Sequence, residues 1–183
     1  MNSSELEFAL LNKASQGDEG AFRDLYDRTH KKVFFYLYRF LGDPNKAEDV
    51  LMETFTEVWR NGHKFRGASQ VTTWMIAIAR NLALNELKKW KPHEDIDNFP
   101  DLCSDSRPNP EHSDRQRVLR DALSRLSGKH REVLDLVFYH DLDYGEVAEA
   151  LHIPLNTVKT RVFYAKEALK EALKKLGVSP DDL

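Results

Sequence analysis

The sequence has almost no cysteine and no long apolar segment. Cys103 is the only cysteine, so no disulfide can form within the chain. No apolar run approaches the ~20 residues that a helix needs to cross a membrane. The first residues, 1–7, lack the basic stretch followed by an apolar stretch that marks a secretory signal. We therefore expect a cytoplasmic protein without membrane insertion.

Signatures of catalysis are missing as well. The seven histidines are scattered without a His-Glu-x-x-His or comparable spacing, and the sequence contains no glycine-rich phosphate loop. His93, Cys103 and His112 share one segment and could hold a metal, but their loose spacing fixes no fourth ligand. The sequence predicts a protein that is not an enzyme and that needs neither a metal nor a cofactor.

The net charge is −3, and the acidic excess is concentrated in one segment. Residues 91–115 contain three basic residues, seven acidic residues and four prolines. This composition and the lack of helical periodicity are typical of a linker. We predict a domain over residues 1–90, a flexible acidic linker over 91–115 and a second domain over 116–178.

Four helices are predicted in the first module from apolar residues at three- and four-residue spacing. Their approximate ranges are 5–16, 20–41, 44–60 and 71–90. The third has the clearest start, because Gly42 can close the preceding helix, Asp43 can cap and Pro44 suits the first helical position. The fourth is apolar nearly all round, so we expect it at the centre of the module.

The second module ends in a short helix, a turn and a longer helix. The two helices are predicted over 144–151 and 155–176, and the small Ala148 lets them approach closely. His152 stands where such a turn favours glycine in the left-handed conformation, which histidine tolerates better than branched residues do. These features predict an all-α fold of two small helical domains joined by an irregular acidic linker, the second containing a helix-turn-helix.

The exposed start of the longer helix carries side chains suited to DNA. In a helix-turn-helix the first turns of the second helix enter the major groove. There lysine can reach guanine acceptors, asparagine can pair with adenine, and threonine or phenylalanine can contact a thymine methyl. The exposed candidates are Asn156, Thr157, Lys159, Thr160, Phe163 and Tyr164. On spacing alone, an ordinary helical hairpin with a solvated basic face remains the alternative.

Two stretches of the chain carry longer motifs. The first reads A-E-D-V-L-M-E-T-F-T-E-V-W from Ala47 and F-R-G-A-S-Q-V-T-T-W-M-I-A-I-A-R-N from Phe65. The second reads L-S-G-K-H-R-E-V-L from Leu126 and Y-G-E-V-A-E-A-L-H-I-P-L-N-T-V-K-T-R-V from Tyr144. They resemble regions 2 and 4 of the sigma-70 family, specifically its extracytoplasmic-function (ECF) group. The resemblance implies a sigma factor that binds core RNA polymerase and directs initiation at promoters with −35 and −10 elements.

The resemblance also implies contacts with the polymerase. The helix over 44–60 would dock on the clamp helices of the β′ subunit, and region 4 would meet the β flap. The exposed candidates on the helix are Asp49, Met52, Glu53 and Glu57. Met52 stands where the family often has glutamine, so that contact would be more apolar here. From the residues alone, a solvated helix face favoured by the helix dipole is the better interpretation of these acids.

Region 2 of the family reads the −10 element. The loop before the fourth helix takes an unstacked base into a pocket, at a cost of about a few kcal/mol that the pocket must recover. The loop residues here are Arg66, Gly67, Ala68, Ser69 and Gln70. The adjoining duplex and phosphates would be met by Arg80, Asn85, Lys88 and Lys89. Asn81 is a further candidate there, but Asn81 and Trp74 rank lower, because such residues are more often structural in this kind of helix.

Region 4 of the family reads the −35 element as duplex. Lys159, Thr160 and Phe163 match its base-reading positions, whereas Arg161, Tyr164 and Lys166 are expected to contact phosphates or to pack. The acidic linker would thread the RNA channel of the polymerase, although a plain solvated tether would account for its composition nearly as well.

Other interpretations lead to different partners. A conventional helix-turn-helix regulator would bind duplex DNA without polymerase. A sigma-like decoy would bind polymerase and start no transcription. Members of the family are often held inactive by an anti-sigma factor that wraps both modules, so such a protein is a further expected partner.

Overall fold

The computed structural model describes residues 3–90 and 114–178, and within these residues the chain is helical without β-strands. The first part contains α1 (Ser3–Ala14), α2 (Glu19–Leu41), α3 (Pro44–Asn61), a 3₁₀ turn (Gly62–Lys64) and α4 (Val71–Trp90). The second part contains α5 (Asp114–Ser124), α6 (Gly128–Phe138), α7 (Tyr144–Leu151) and α8 (Leu155–Lys175). The predicted all-α fold class is confirmed.

The predicted helix limits agree with the observed ones within two residues at each end. Helix α5 begins at Asp114, inside the last two residues of the predicted linker. The rest of that linker, with the loose metal candidates His93, Cys103 and His112, lies outside the described residues.

Local signals set the boundary between α2 and α3. Gly42 has φ 72° and ψ 6°, and its backbone N–H donates to the carbonyl of Tyr38, which ends α2 in the left-handed region that glycine adopts freely. The carboxylate of Asp43 accepts from the backbone N–H of Asn45 at 2.9 Å, and Pro44 occupies the first position of α3. The predicted glycine stop, aspartate cap and proline start are all confirmed.

Helices α2, α3 and α4 build the core of the first module. Val33 of α2 and Met75 and Ile76 of α4 have no exposed surface, and the buried ring of Phe55 of α3 packs on the aromatic rings of α2. Each side chain of this size stabilises the fold by about 1.5–3 kcal/mol when fully buried. Helix α4 contacts α1, α2 and α3, which confirms its predicted central position.

The helix-turn-helix is closed by a capping box and a left-handed turn. The side chain of Asp143 accepts from the backbone N–H of Glu146 at 2.9 Å, and the Glu146 carboxylate accepts in return from the N–H of Asp143 at 3.1 Å. Helix α7 ends at His152, whose φ of 52° and ψ of 45° lie in the left-handed region. The left-handed backbone conformation predicted for His152 is therefore confirmed. The N–H of Ile153 then bonds to the carbonyl of Ala148 at 3.1 Å and completes the turn.

Substitution of His152 tests the turn. The left-handed backbone costs an ordinary residue roughly 1–2 kcal/mol, and a branched side chain suffers most. We expect His152→Val to lower the free energy of unfolding by about 1–2 kcal/mol and His152→Gly to leave it unchanged or slightly higher. Chemical denaturation of the two variants measures the difference. Equal stability of both variants would contradict the assigned conformation.

Candidate nucleic-acid interface

One face of α8 is exposed and carries the central candidates for DNA contact. Asn156, Thr160 and Phe163 are spaced by four and three residues, so they lie on one side of the helix. Val158 and Val162 face the opposite way and are buried. The ring of Phe163 is 61% exposed and, with the neighbouring ring of Tyr164 at 57%, presents apolar surface to solvent beside this face.

The other predicted positions of α8 flank this face. Lys159 is exposed beside it, whereas Thr157 and Arg161 are half-buried on the far flank. The Tyr164 ring meets the ring of Phe163 edge-on with centroids 5.4 Å apart. Lys166 is exposed and places its Nζ 5.2 Å from the centre of the Phe138 ring on α6. The eight predicted residues therefore form a central face with two flanks rather than one continuous surface.

The hydroxyl of Thr160 is already engaged within the helix. Its Oγ1 donates to the backbone carbonyl of Asn156 at 2.9 Å. Thr160 can therefore offer DNA its methyl group or an acceptor lone pair, but not its proton. A methyl group on this face suits contact with a thymine methyl.

In the first module, the loop between the 3₁₀ turn and α4 is exposed. Arg66, Gly67, Ala68 and Gln70 are exposed, and Ser69 is half-exposed. Gly67 has φ 72°, so its backbone takes the left-handed conformation. The five predicted loop residues are thus brought together at the start of α4.

The basic end of α4 is also accessible. Asn85, Lys88 and Lys89 are exposed, as is Asn81 one turn earlier. Glu86 accepts from Lys89 Nζ at 3.0 Å, and this hydrogen bond, followed by the charge of Glu86, raises the pKa of Lys89. The exposure of Asn81 leaves it accessible as a lower-ranked candidate for DNA contact. The structural interpretation of Trp74 is confirmed, because its half-buried ring packs on Phe65 with centroids 5.3 Å apart.

Arg80 has a different environment from its neighbours on α4. Its Nε donates to Glu132 Oε1 at 2.7 Å and its Nη2 to Oε2 at 3.4 Å, so the guanidinium is paired with a carboxylate of α6. The side chains are 16% and 3% exposed. Burial alone would lower the pKa of Arg80, but the hydrogen bond and charge of Glu132 raise it. In this arrangement Arg80 is occupied by the second module and not presented to DNA.

Tyr36 completes a buried cluster around the same carboxylate. Its hydroxyl donates to Glu132 Oε1 at 3.0 Å, and the residue is 1% exposed. Burial raises the pKa of Tyr36 well above its usual value, and the negative charge of Glu132 raises it further. We call Tyr36, Arg80 and Glu132 the intermodule cluster, because it joins α2 and α4 to α6.

Further polar contacts join the two modules around this cluster. Arg39 of α2 is ion-paired with Asp135 of α6, and its Nη2 lies 3.0 Å from Nε2 of His140. Thr73 of α4 donates to Glu146 of α7 at 3.2 Å. Sequence reasoning missed these contacts, because their partners are 73 to 101 residues apart in the chain.

The candidate polymerase face of α3 is acidic with an apolar centre. Asp49, Met52 and Glu53 are exposed at helical spacing, and Met52 is 61% exposed. Glu57 is half-buried and differs from them, because it accepts from Asn61 Nδ2 at 2.6 Å and lies 3.9 Å from a nitrogen of Arg60. Three of the four predicted residues are thus freely presented, and the fourth is partly engaged within its own helix.

Among the described residues, no helix has the length and hydropathy of a membrane span, and no group of three or more potential metal ligands is found.

The geometry is that of a two-module helical protein whose second module contains a helix-turn-helix. The family description "Sigma-70 region 2" matches residues 25–91, and "Sigma-70, region 4" matches residues 116–169. The first match contains α3, the exposed loop and α4, and the second contains α7 and the exposed face of α8 that carries Asn156, Thr160 and Phe163. Matches on both modules do not favour a conventional regulator, which would need only the second.

Relatives of similar length carry the same two regions. The ECF RNA polymerase sigma factor SigW of Bacillus subtilis is 29% identical over 180 residues, which span 91% of this chain and 96% of that protein. The sigma factor RpoE from Bartonella quintana, solved with the anti-sigma factor NepR, has a TM-score of 0.69 at 22% identity, covering 84% of this chain and 96% of that one. CnrH, solved with the cytosolic domain of CnrY, has a TM-score of 0.67 at 21% identity, covering 93% and 98%. The chain belongs to the sigma-70 family, in its extracytoplasmic-function group.

Tyr36→Phe tests the intermodule cluster through its pH dependence. Loss of the hydroxyl should cost about 0.5–1.5 kcal/mol of stability near neutral pH. Because the pKa of Tyr36 is raised in the folded state, its contribution is complete below the unfolded pKa of about 10 and is lost as the pH rises above that value. The difference in free energy of unfolding between wild type and variant should therefore become smaller above pH ~10. Urea denaturation measures the free energy of unfolding of both proteins. If their difference stays constant between pH 8 and 11, the Tyr36 hydroxyl is not buried in the folded state.

Proposed function

We propose that this sigma factor divides promoter recognition between two separate surfaces. The outer face of α8 would read the −35 element as duplex, and the loop 66–70 with the basic end of α4 would read the −10 element. In this proposal residues 1–90 and 116–178 act as the two recognition domains, and residues 91–115 connect them. Membership in the sigma-70 family implies that the chain acts with core RNA polymerase. The division of promoter recognition between two surfaces is our inference.

The exposed ring of Phe163 is the observation that best supports the −35 assignment. It stands beside Asn156 and Thr160 on the side of α8 that faces away from the core. An apolar ring, a methyl group and an amide on one helix face match the chemistry of base edges in the major groove. Lys159 on one flank would reach a guanine, and Lys166 on the same side would contact phosphate.

The exposed loop before α4 supports the −10 assignment. Gly67 and Ala68 carry little side-chain bulk, which allows a base to approach the backbone closely. Ser69 and Gln70 offer hydrogen bonds to a base edge. Lys88 and Lys89 lie along the same helix and would meet the phosphates of the adjoining duplex.

The contact between the modules limits when both elements can be read. Two promoter elements about two duplex turns apart are separated by ~70 Å. Helix α7 packs directly against α4 here, and packed helices lie only about 8–10 Å apart. Arg80 would also have to exchange Glu132 for phosphate. We infer that the modules separate before both elements are bound, and the 23 residues from 91 to 113 can reach ~80 Å when extended.

The polymerase would bind the acidic face of α3. Asp49 and Glu53 flank the exposed thioether of Met52, and this combination suits the clamp helices of β′ implied by the family. The second module would meet the β flap. These contacts would hold the two modules apart and so supply the separation that promoter binding requires.

A protein inhibitor is a further proposed partner. RpoE and CnrH were solved in complexes with the anti-sigma factor NepR and with the cytosolic domain of CnrY. We propose that an anti-sigma factor also binds this chain. Sigma factors are non-catalytic initiation factors, so the chain would carry no enzymatic activity of its own and would act where polymerase and DNA are, in the cytoplasm.

Run-off transcription with purified core polymerase tests the proposal. The chain should support initiation from a promoter with matching −35 and −10 elements and should do so only in the presence of core enzyme. Tight binding to duplex DNA without polymerase would indicate a conventional regulator. Binding to core enzyme without any transcript would indicate a decoy.

Lys159→Ala and Lys166→Ala distinguish base reading from phosphate contact. Lys159→Ala should relax specificity at one position of the −35 element by about 1–3 kcal/mol. Lys166→Ala should weaken transcription evenly across all promoter variants. Transcription from a panel of single-base −35 variants measures both effects. Equal losses on every variant for Lys159→Ala would remove it from the base-reading set.

A further inference from the structure

Helix α1 precedes the residues matched by region 2 and has no role in the proposal above. Two of its side chains point towards the loop 66–70 and the start of α4. Glu7 is a buried acid at 7% exposure, and Phe8 is 40% exposed beside the loop. A buried carboxylate is costly unless it is hydrogen-bonded, so the partners of Glu7 indicate what it does.

Glu7 ties α1 to the first turn of α4. Its Oε2 accepts from the hydroxyl of Thr72 at 2.8 Å, and its Oε1 accepts from Ser3 at 3.3 Å. Thr72 is the second residue of α4 and follows Gln70, the last loop residue, by two positions. A carboxylate near a helix N-terminus is also favoured by the helix dipole. The C-terminal end of the loop is therefore fixed to α1.

The ring of Phe8 lies beside the loop at Gly67. Its Cε2 and Cζ atoms lie 3.7 and 3.9 Å from the point where a Cβ on Gly67 would stand, which is van der Waals distance. The Phe8 ring also meets Phe65 edge-on with centroids 5.8 Å apart, and Phe65 packs in turn on Trp74. The rings of Phe8, Phe65 and Trp74 therefore form a continuous aromatic contact from α1 to α4 beside the loop.

We propose that Glu7 and Phe8 are positioning residues for −10 base selection. The inference rests on the proposed −10 role of the loop and adds the part that holds it in shape. A loop of small, exposed residues loses conformational entropy when it is ordered, and a loop already ordered on α1 avoids that cost on binding DNA. Neither side chain needs to touch the base. The two side chains fix the positions of Gly67 and Gln70 before the base binds.

Transcription by the full chain with core polymerase tests this role. The readout is the ratio of transcripts from promoters that carry the matching base and each of the other bases at every −10 position. Phe8→Ala and Glu7→Ala should each lower this ratio at one position by about tenfold, because a misplaced contact group loses its geometry. Discrimination at the −35 element and affinity for core polymerase should stay at wild-type values.

Conservative variants separate positioning from simple loss of stability. Glu7→Gln keeps an acceptor for Thr72 and should restore most of the discrimination, and Phe8→Leu should restore part of it. Phe35→Ala is the matched control, because it removes a half-exposed phenylalanine from α2 in the same module. It should leave −10 discrimination unchanged even if it lowers the melting temperature.

Three outcomes would overturn the inference in distinguishable ways. If wild type discriminates at −10 and Phe8→Ala discriminates equally well, the positioning role is wrong and the proposed function stands. If wild type does not discriminate at any −10 position while −35 changes matter, the −10 role of the loop fails, and the positioning role fails with it. Equal losses for Phe35→Ala and Phe8→Ala would likewise assign the effect to stability.

Discussion

The carboxylate of Glu132 is the group on which the arrangement of the two modules depends. It is buried, and it meets both the guanidinium of Arg80 and the hydroxyl of Tyr36. Burying a charge costs several kcal/mol, which its partners roughly repay, so a pair of this kind adds little net stability while it enforces one geometry. On separation, water can solvate the charged groups again. This buried pair therefore contributes more to the geometry of the contact than to its stability.

The closed arrangement affects the two reading surfaces unequally. The face of α8 remains exposed, whereas Arg80 of α4 is paired across the contact. In the proposed function, the isolated chain would already present its −35 surface but only part of its −10 surface. In that proposal the order of assembly would follow from which groups are free, and polymerase binding would complete the second surface by drawing the modules apart.

Local signals explain why the helices were predictable and the contacts between modules were not. The cap at Asp43, the glycine at position 42 and the turn at His152 act within four residues, so their effect is visible in the sequence. The candidate faces of α3 and α8 follow from helical spacing in the same way. The pairing of Tyr36 with Glu132 joins residues 96 positions apart and leaves no periodic pattern. Arg80 therefore looked like one more basic residue of α4, and the support of the loop by Phe8 was equally invisible.

The reading face of α8 shares no residue with the hydrophobic core. Asn156, Thr160 and Phe163 are exposed, and the fold rests on Val158, Val162 and Ala165 on the other side. Exposed substitutions away from caps and buried networks usually change stability by less than about 0.5 kcal/mol. Mutation can therefore alter these three positions while the protein still folds. If these residues read the −35 element as proposed, a duplicated copy of such a chain would be free to acquire a different promoter preference in few steps, because the candidate reading face is separate from the core.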